Sequence, residues 1–206
     1  MPERNGGNKF SRRELLSFFK PKNSKIDTVP EKNDAVDPWS LKISRRDFMT
    51  SAACGSLLSI ADIPLAIGLM EIGIPQGNAG ASEEDYNELF RNPAYGYLLT
   101  SIISPLIEES LCRAFPSETF APKDNKMHWE VGAPASLAFM LMHNIDGAYL
   151  GVIPNSLSFE EIHVTSFISG LMYWKFEREG GLAKAAVAHG AHNATLFTLG
   201  LALIKS

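Results

Sequence analysis

Cysteine is scarce in this chain. Cys54 and Cys112 are the two among 206 residues, both in apolar stretches and with no CxxC pair. That excludes a disulfide framework and a cysteine-based zinc site. No HExxH occurs, so the helical zinc-protease motif is missing as well. No stretch alternates apolar and polar residues as a half-buried strand does, and no segment repeats. Basic residues interleaved with aromatics are also lacking, which argues against nucleic acid as a partner. The mean hydropathy of −0.03 is low for a chain that crosses a membrane several times. That mean, however, averages two unlike parts.

Residues 1–46 are polar, with eleven cations against six acids, a net +5. The total of −4 therefore leaves −9 for the remainder. Such a segment has little apolar surface to offset its ordering entropy and is predicted to be disordered. Within it, 10–19 could form a short amphipathic helix through Leu15, Leu16, Phe18 and Phe19. Next comes Ser44-Arg45-Arg46-Asp47-Phe48-Met49, followed by an apolar stretch over 52–74. The pair of arginines resembles a twin-arginine export signal, with Ala79-Gly80-Ala81 as a cleavage site. The alternative is a first membrane helix with basic residues on its cytoplasmic flank. Asp62, Pro64 and Glu71 weaken the apolar segment in either case.

Residues 82–93 form an acidic connector, and Asn92-Pro93 is a helix start signal. Helices are expected over about 94–115, with a kink or restart at Pro105, and over about 133–152. A third is expected over 159–176, with Ser158 as N-cap, Glu161 as its capping-box partner and Gly180-Gly181 as terminators. A fourth is expected over 182–204, and 116–131 reads as a polar loop. The third helix is short of the roughly 20 apolar residues a bilayer crossing needs. The expected fold is all-α: a multi-pass membrane helix bundle with a four-helix core over 94–206. It follows a disordered extension (1–46), a signal or first membrane helix (47–81) and the connector. With the N-terminus cytoplasmic, Glu108, Arg113 and the loop 175–184 fall on the cytoplasmic side.

Adjacent carboxylates close the apolar run at Pro105-Leu106-Ile107-Glu108-Glu109. Ionisable groups are costly in such a place and ask for a chemical reason. Glu109 and Arg113, four apart, can pair on one helix face. Glu108 points about 100° away from that face. A carboxylate retained in an apolar setting is a candidate general base. Phe139 and His143 share a face of the second helix, and His189 and Asn193 share one on the fourth. The imidazole and amide of the last pair could stabilise an oxyanion. His192 lies on another face, where packing or a metal could use it.

Together, E-E-x-x-x-R at Glu108, Glu109 and Arg113, F-x-x-x-H at Phe139 and His143, and H-x-x-x-N at His189 and Asn193 resemble the CAAX protease and bacteriocin-processing (CPBP, or Abi) family. The resemblance covers about 94–204 and includes Pro105. Ala114 stands where that family often has glycine. The resemblance implies an intramembrane endopeptidase of glutamate type. Glu108 and His143 would activate a water, His189 and Asn193 would stabilise the oxyanion, and Glu109 would orient through Arg113. It implies a protein or peptide substrate, with prenylated C-termini among the options, and contact with membrane lipid. No cofactor is expected. Were a metal used, Glu108, His143 and His189 would be its zinc ligands. The expected location is the cell membrane. Two other functions fit the same helices: a non-catalytic membrane immunity or scaffold protein, and an exported soluble helical protein.

Overall fold

A computed structural model describes residues 36–74, 89–124, 126–143 and 164–204. The expected short helix at 10–19, the Ala79-Gly80-Ala81 site, most of the acidic connector and the Ser158 cap lie outside the described residues, as does the end of the second helix. Among the described residues all regular structure is helical.

Helix α1 runs Arg45–Glu71. Its start is local chemistry: Ser44 accepts from the Asp47 backbone N–H and its hydroxyl meets the Asp47 carboxylate at 2.6 Å. That cap satisfies an end donor that the first turn cannot pair internally. One face of α1 carries small or polar buried residues: Ser51, Gly55, Ser59 and Asp62. The opposite face exposes Leu57, Ile60, Ile63 and Ile67. A Cβ on Gly55 would lie 1.9 Å from the Ala188 carbonyl oxygen, so only glycine permits this approach of two helix backbones. Among the described residues, α1 is the one helix long and apolar enough to cross a membrane by length and composition.

The sequence predicts a helix ending near 115 and then a loop. Instead, helical structure continues to Phe120 in five segments: α2 (Pro93–Leu98), a π-helix π1 (Leu99–Ile103), α3 (Ser104–Glu109), a second π-helix π2 (Ser110–Ala114) and α4 (Phe115–Phe120). Proline is at the first or second position of each α segment, where its missing N–H costs least. The π turns absorb what proline cannot supply. Ser104 N–H bonds to the Leu99 carbonyl, five residues back. In that register Pro105 would serve Thr100, and it has no N–H to give. The orphaned Thr100 carbonyl takes the Asn193 side-chain amide at 2.9 Å. The same register precedes Pro116, with Phe115 N–H bonded to the Ser110 carbonyl, and within that turn Arg113 Nη1 donates to the Cys112 carbonyl at 2.8 Å. Pro116 thus opens a helical segment where the sequence suggested a stop.

Helix α5 spans Trp129–Met142 and starts four residues before its expected position. Helix α6 spans Val164–Gly180 and continues past Phe176, because Glu177 and Arg178 are buried rather than terminal. Arg178 donates to the Lys126 and Pro122 carbonyls and to Ser117 Oγ, and contacts the Asp124 carbonyl, which clamps the 121–128 loop. Gly181, at φ 76°, breaks the chain between α6 and α7 (Leu182–Ile204). Residues 36–44 are not the free extension expected. Leu182 N–H donates to the Pro38 carbonyl and Ala183 N–H to the Ser40 carbonyl, which pairs two end donors of α7.

The core joins Cys112, Phe139, Tyr173, Phe176, Ala185 and Ala188, with Cys54 and Leu58 of α1 packed against it. Outside it, Leu106, Ile107, Leu111, Leu199 and Leu203 face outward.

Candidate active site

The Glu108-Glu109 pair sits between the two π turns, an irregularity found often at functional sites. Both side chains are buried, at 4% and 0% exposure, so neither carboxylate ends the helix in solvent. His189 of α7 faces both. Its Nδ1 is 2.8 Å from Glu109 Oε1, and its Nε2 is 3.7 Å from Glu108 Oε2. Since a carboxylate oxygen only accepts, Nδ1 carries the hydrogen. Glu108 Oε1 accepts from Ser104 Oγ at 2.5 Å, one helical turn earlier. Glu109 Oε2 lies 3.6 Å from Arg113 Nε. The expected Glu109–Arg113 pairing is therefore present but loose, and the hydrogen bond of Glu109 goes to His189.

His143 closes α5. Its Nδ1 donates to the Phe139 carbonyl at 2.8 Å, so the neutral ring carries its lone pair on Nε2. It lies within electrostatic range of Glu108, His189 and Arg113. Phe139 is a hub: its ring meets His143 edge-on at 4.5 Å and His189 at 5.5 Å, and Arg113 sits over its face at 4.8 Å. Asn193 is turned to the Thr100 carbonyl and so has one structural duty already. An amide nitrogen has two hydrogens, so a second donor remains on the group.

Three contributors were not singled out from sequence. Ser104 was detectable, being four residues before Glu108. Tyr173 stacks on His189 at 4.6 Å and 14°, and nothing in an apolar helix marks one tyrosine as such. Asp62 appeared as a flaw in an apolar segment, yet it accepts from Ser169 at 3.1 Å and lies 3.4 Å from His192 Nε2. An acid inside such a helix was the available signal. Among the described residues no group of three or more His, Cys, Asp or Glu side chains is placed to hold a metal ion.

A surface cleft at the loop end is lined by Asp37, Trp39, Ser117, Lys123 and Arg178, and by none of Glu108, His143, His189 or Asn193. Beside that loop His128 bridges Glu130 and Asp124, 2.7 Å to each. The Glu130 hydrogen bond, then that of Asp124, raises the His128 pKa above its ordinary 6.5. Glu130 is lowered in turn, chiefly by His128. Asp124 is lowered first by the Lys126 backbone N–H.

The sequence model of the family described as type II CAAX prenyl endopeptidase, Rce1-like, matches residues 90–195, just over half of the chain. That span runs from before π1 to just past Asn193, and leaves α1 outside it. No curated protein matches the chain, and no solved structure does.

Proposed function

The chain belongs to the Rce1-like family of type II CAAX prenyl endopeptidases, and from that premise we propose that it is a multi-pass intramembrane endopeptidase of glutamate type. Its substrate is a protein or peptide presented at the membrane, with a prenylated C-terminus as the first candidate. The observation that carries the proposal is the burial of Glu108, Glu109 and His189 as one cluster, with a carboxylate at each imidazole nitrogen. Buried charges are retained at such cost where they hold one another or do chemistry.

In this mechanism Glu108 takes one proton from a water whose other hydrogen is held by Nε2 of His143; the water oxygen attacks the scissile carbonyl, and Glu108 returns the proton to the leaving amine as the C–N bond breaks. The second N–H of Asn193 and, when the His189 ring holds a hydrogen on both nitrogens, its Nε2–H donate to the developing oxyanion. Ser104 orients Glu108, while Glu109, steadied by Arg113, fixes the His189 ring. The Asn193 bond to the Thr100 carbonyl fixes its amide by the same logic.

The proposed location is the cell membrane with the N-terminus cytoplasmic. The segment leading into α1, the α6–α7 turn and the Arg178-clamped loop gather at one end of the bundle, through Pro38, Ser40 and the 121–128 carbonyls. Lys42, Arg45, Arg46, Lys123, Lys126 and Lys184 lie at that end, as the positive-inside tendency favours on the cytoplasmic face. α7 has the length of a span, and the polar His189, His192 and Asn193 that lower its apolarity face the interior rather than lipid. Ser44 and Asp47 cap α1, so the Ser-Arg-Arg-Asp stretch has a structural use without export.

The test uses the full chain in lipid vesicles. It should cleave a prenylated C-terminal peptide and neglect the same peptide without its lipid. Equal cleavage of both would remove the substrate assignment. Release of the protein from membranes by salt or carbonate without detergent would remove the membrane premise.

A further inference from the structure

Against the face of the His189 ring begins a second polar chain that the proposed mechanism does not use. Tyr173 stacks on the His189 ring. The Tyr173 hydroxyl is 2.9 Å from His192 Nδ1, and His192 Nε2 is 3.4 Å from Asp62 Oδ2. Ser169 Oγ holds the same Asp62 oxygen at 3.1 Å, and Ser59 of α1 donates to the His192 carbonyl at 2.8 Å. All of these side chains are buried.

The direction of the chain follows from its ends. A carboxylate oxygen accepts, so it favours the hydrogen on His192 Nε2. Nδ1 is then the acceptor, and the Tyr173 O–H donates to it. This pins the phenol, whose face in turn limits rotation of His189. Buried polar networks of this kind rigidify when every member is satisfied. Its far end is on α1, outside the family match.

We propose that Tyr173, through its stacked ring, and Asp62, through His192 and Tyr173, are positioning residues for His189, so that α1 is a working part of the active centre. This rests on the endopeptidase reading for its kinetic test and on geometry alone for its spectroscopic one. Asp62→Leu leaves His192 Nε2–H without its acceptor, and Tyr173→Phe keeps the stacked ring but cuts the link.

The experiment uses the full chain in lipid, with a prenylated peptide as substrate and labelled histidine for NMR. Each variant lowers kcat on the order of tenfold with KM within twofold, as expected when a reacting group loses its orientation. The double variant is no slower than the worse single one, because both cut one chain. Asp62→Asn, which keeps an acceptor oxygen, recovers most of the rate. The His189 ring signals shift in both single variants. Unmoved His189 signals, an Asp62→Leu kcat within twofold of wild type, or losses that multiply in the double variant would each overturn the proposal. If wild type cleaves nothing, the endopeptidase reading fails, and the His189 signals still decide this one. Should Asp62→Leu not fold, Asp62→Ala takes its place, and Tyr173→Phe alone still decides: a kcat within twofold of wild type with unmoved His189 signals overturns the proposal.

Discussion

Glu109→Gln should cost stability, whereas Glu108→Gln should cost chemistry. Glu109 has no exposed surface, accepts from His189 and faces Arg113, which is fully buried too. A glutamine keeps the shape and one acceptor but removes the charge that offsets Arg113. Removing one partner of a buried pair costs about 3–5 kcal/mol, because the other charge stays behind in a low dielectric. The Arg113 contacts to the Cys112 carbonyl and the Phe139 face reduce that loss, so the lower half of the range is expected. For a chain of this length 1 kcal/mol shifts the midpoint by about 2–4 °C. Thermal unfolding in detergent should therefore fall by roughly 6–16 °C for Glu109→Gln. Glu108 has a hydroxyl and the more distant His189 nitrogen as neighbours, and glutamine can accept from Ser104 in its place. Its midpoint should move by less than about 3 °C. Equal shifts for the two variants, or a Glu109→Gln midpoint at the wild-type value, would refute the division of labour between them.

Gly55→Ala should destabilise by about 1–3 kcal/mol, since its methyl would meet the Ala188 carbonyl. Gly68→Ala, with nothing within 4 Å, should be neutral or stabilise by up to about 1 kcal/mol, and unfolding midpoints of the pair check both. Asn193→Leu should lose cleavage and also about 1–3 kcal/mol of stability, because the Thr100 carbonyl loses its donor. A variant of full stability would show that Pro105 leaves no carbonyl to be served. His128 should titrate above its ordinary range, and Glu130→Gln should lower its midpoint in an NMR titration. The sign follows from the raised value: the His128 bridge is complete below about pH 6.5 and is lost as pH rises through its folded pKa. The lowered Asp124 and Glu130 act oppositely, contributing above the ordinary carboxylate range and failing only in stronger acid.

Much of the helical order was legible because its signals are local. Gly180-Gly181 ends one helix, and Leu182 opens a run that continues to Ile204 as expected. The prolines were harder. Pro105 and Pro116 suggest breaks, but a missing N–H can also be absorbed by a π turn and a side chain from elsewhere, which no local rule announces. The sequence paired Glu109 with Arg113 by helical spacing. The π register from Ser110 onward loosens that spacing and leaves His189 as the closer partner of Glu109. Asp62 shows the same limit: its cost was visible in the sequence, but the His192 and Ser169 that offset it lie more than a hundred residues away.

Turnover of a prenylated peptide by Glu108→Gln, in lipid and against wild type, tests the central claim most directly. Loss of a general base predicts a kcat lower by roughly 10²–10⁴-fold with the protein still folded. A folded Glu108→Gln protein that cleaves within twofold of wild type would contradict the account.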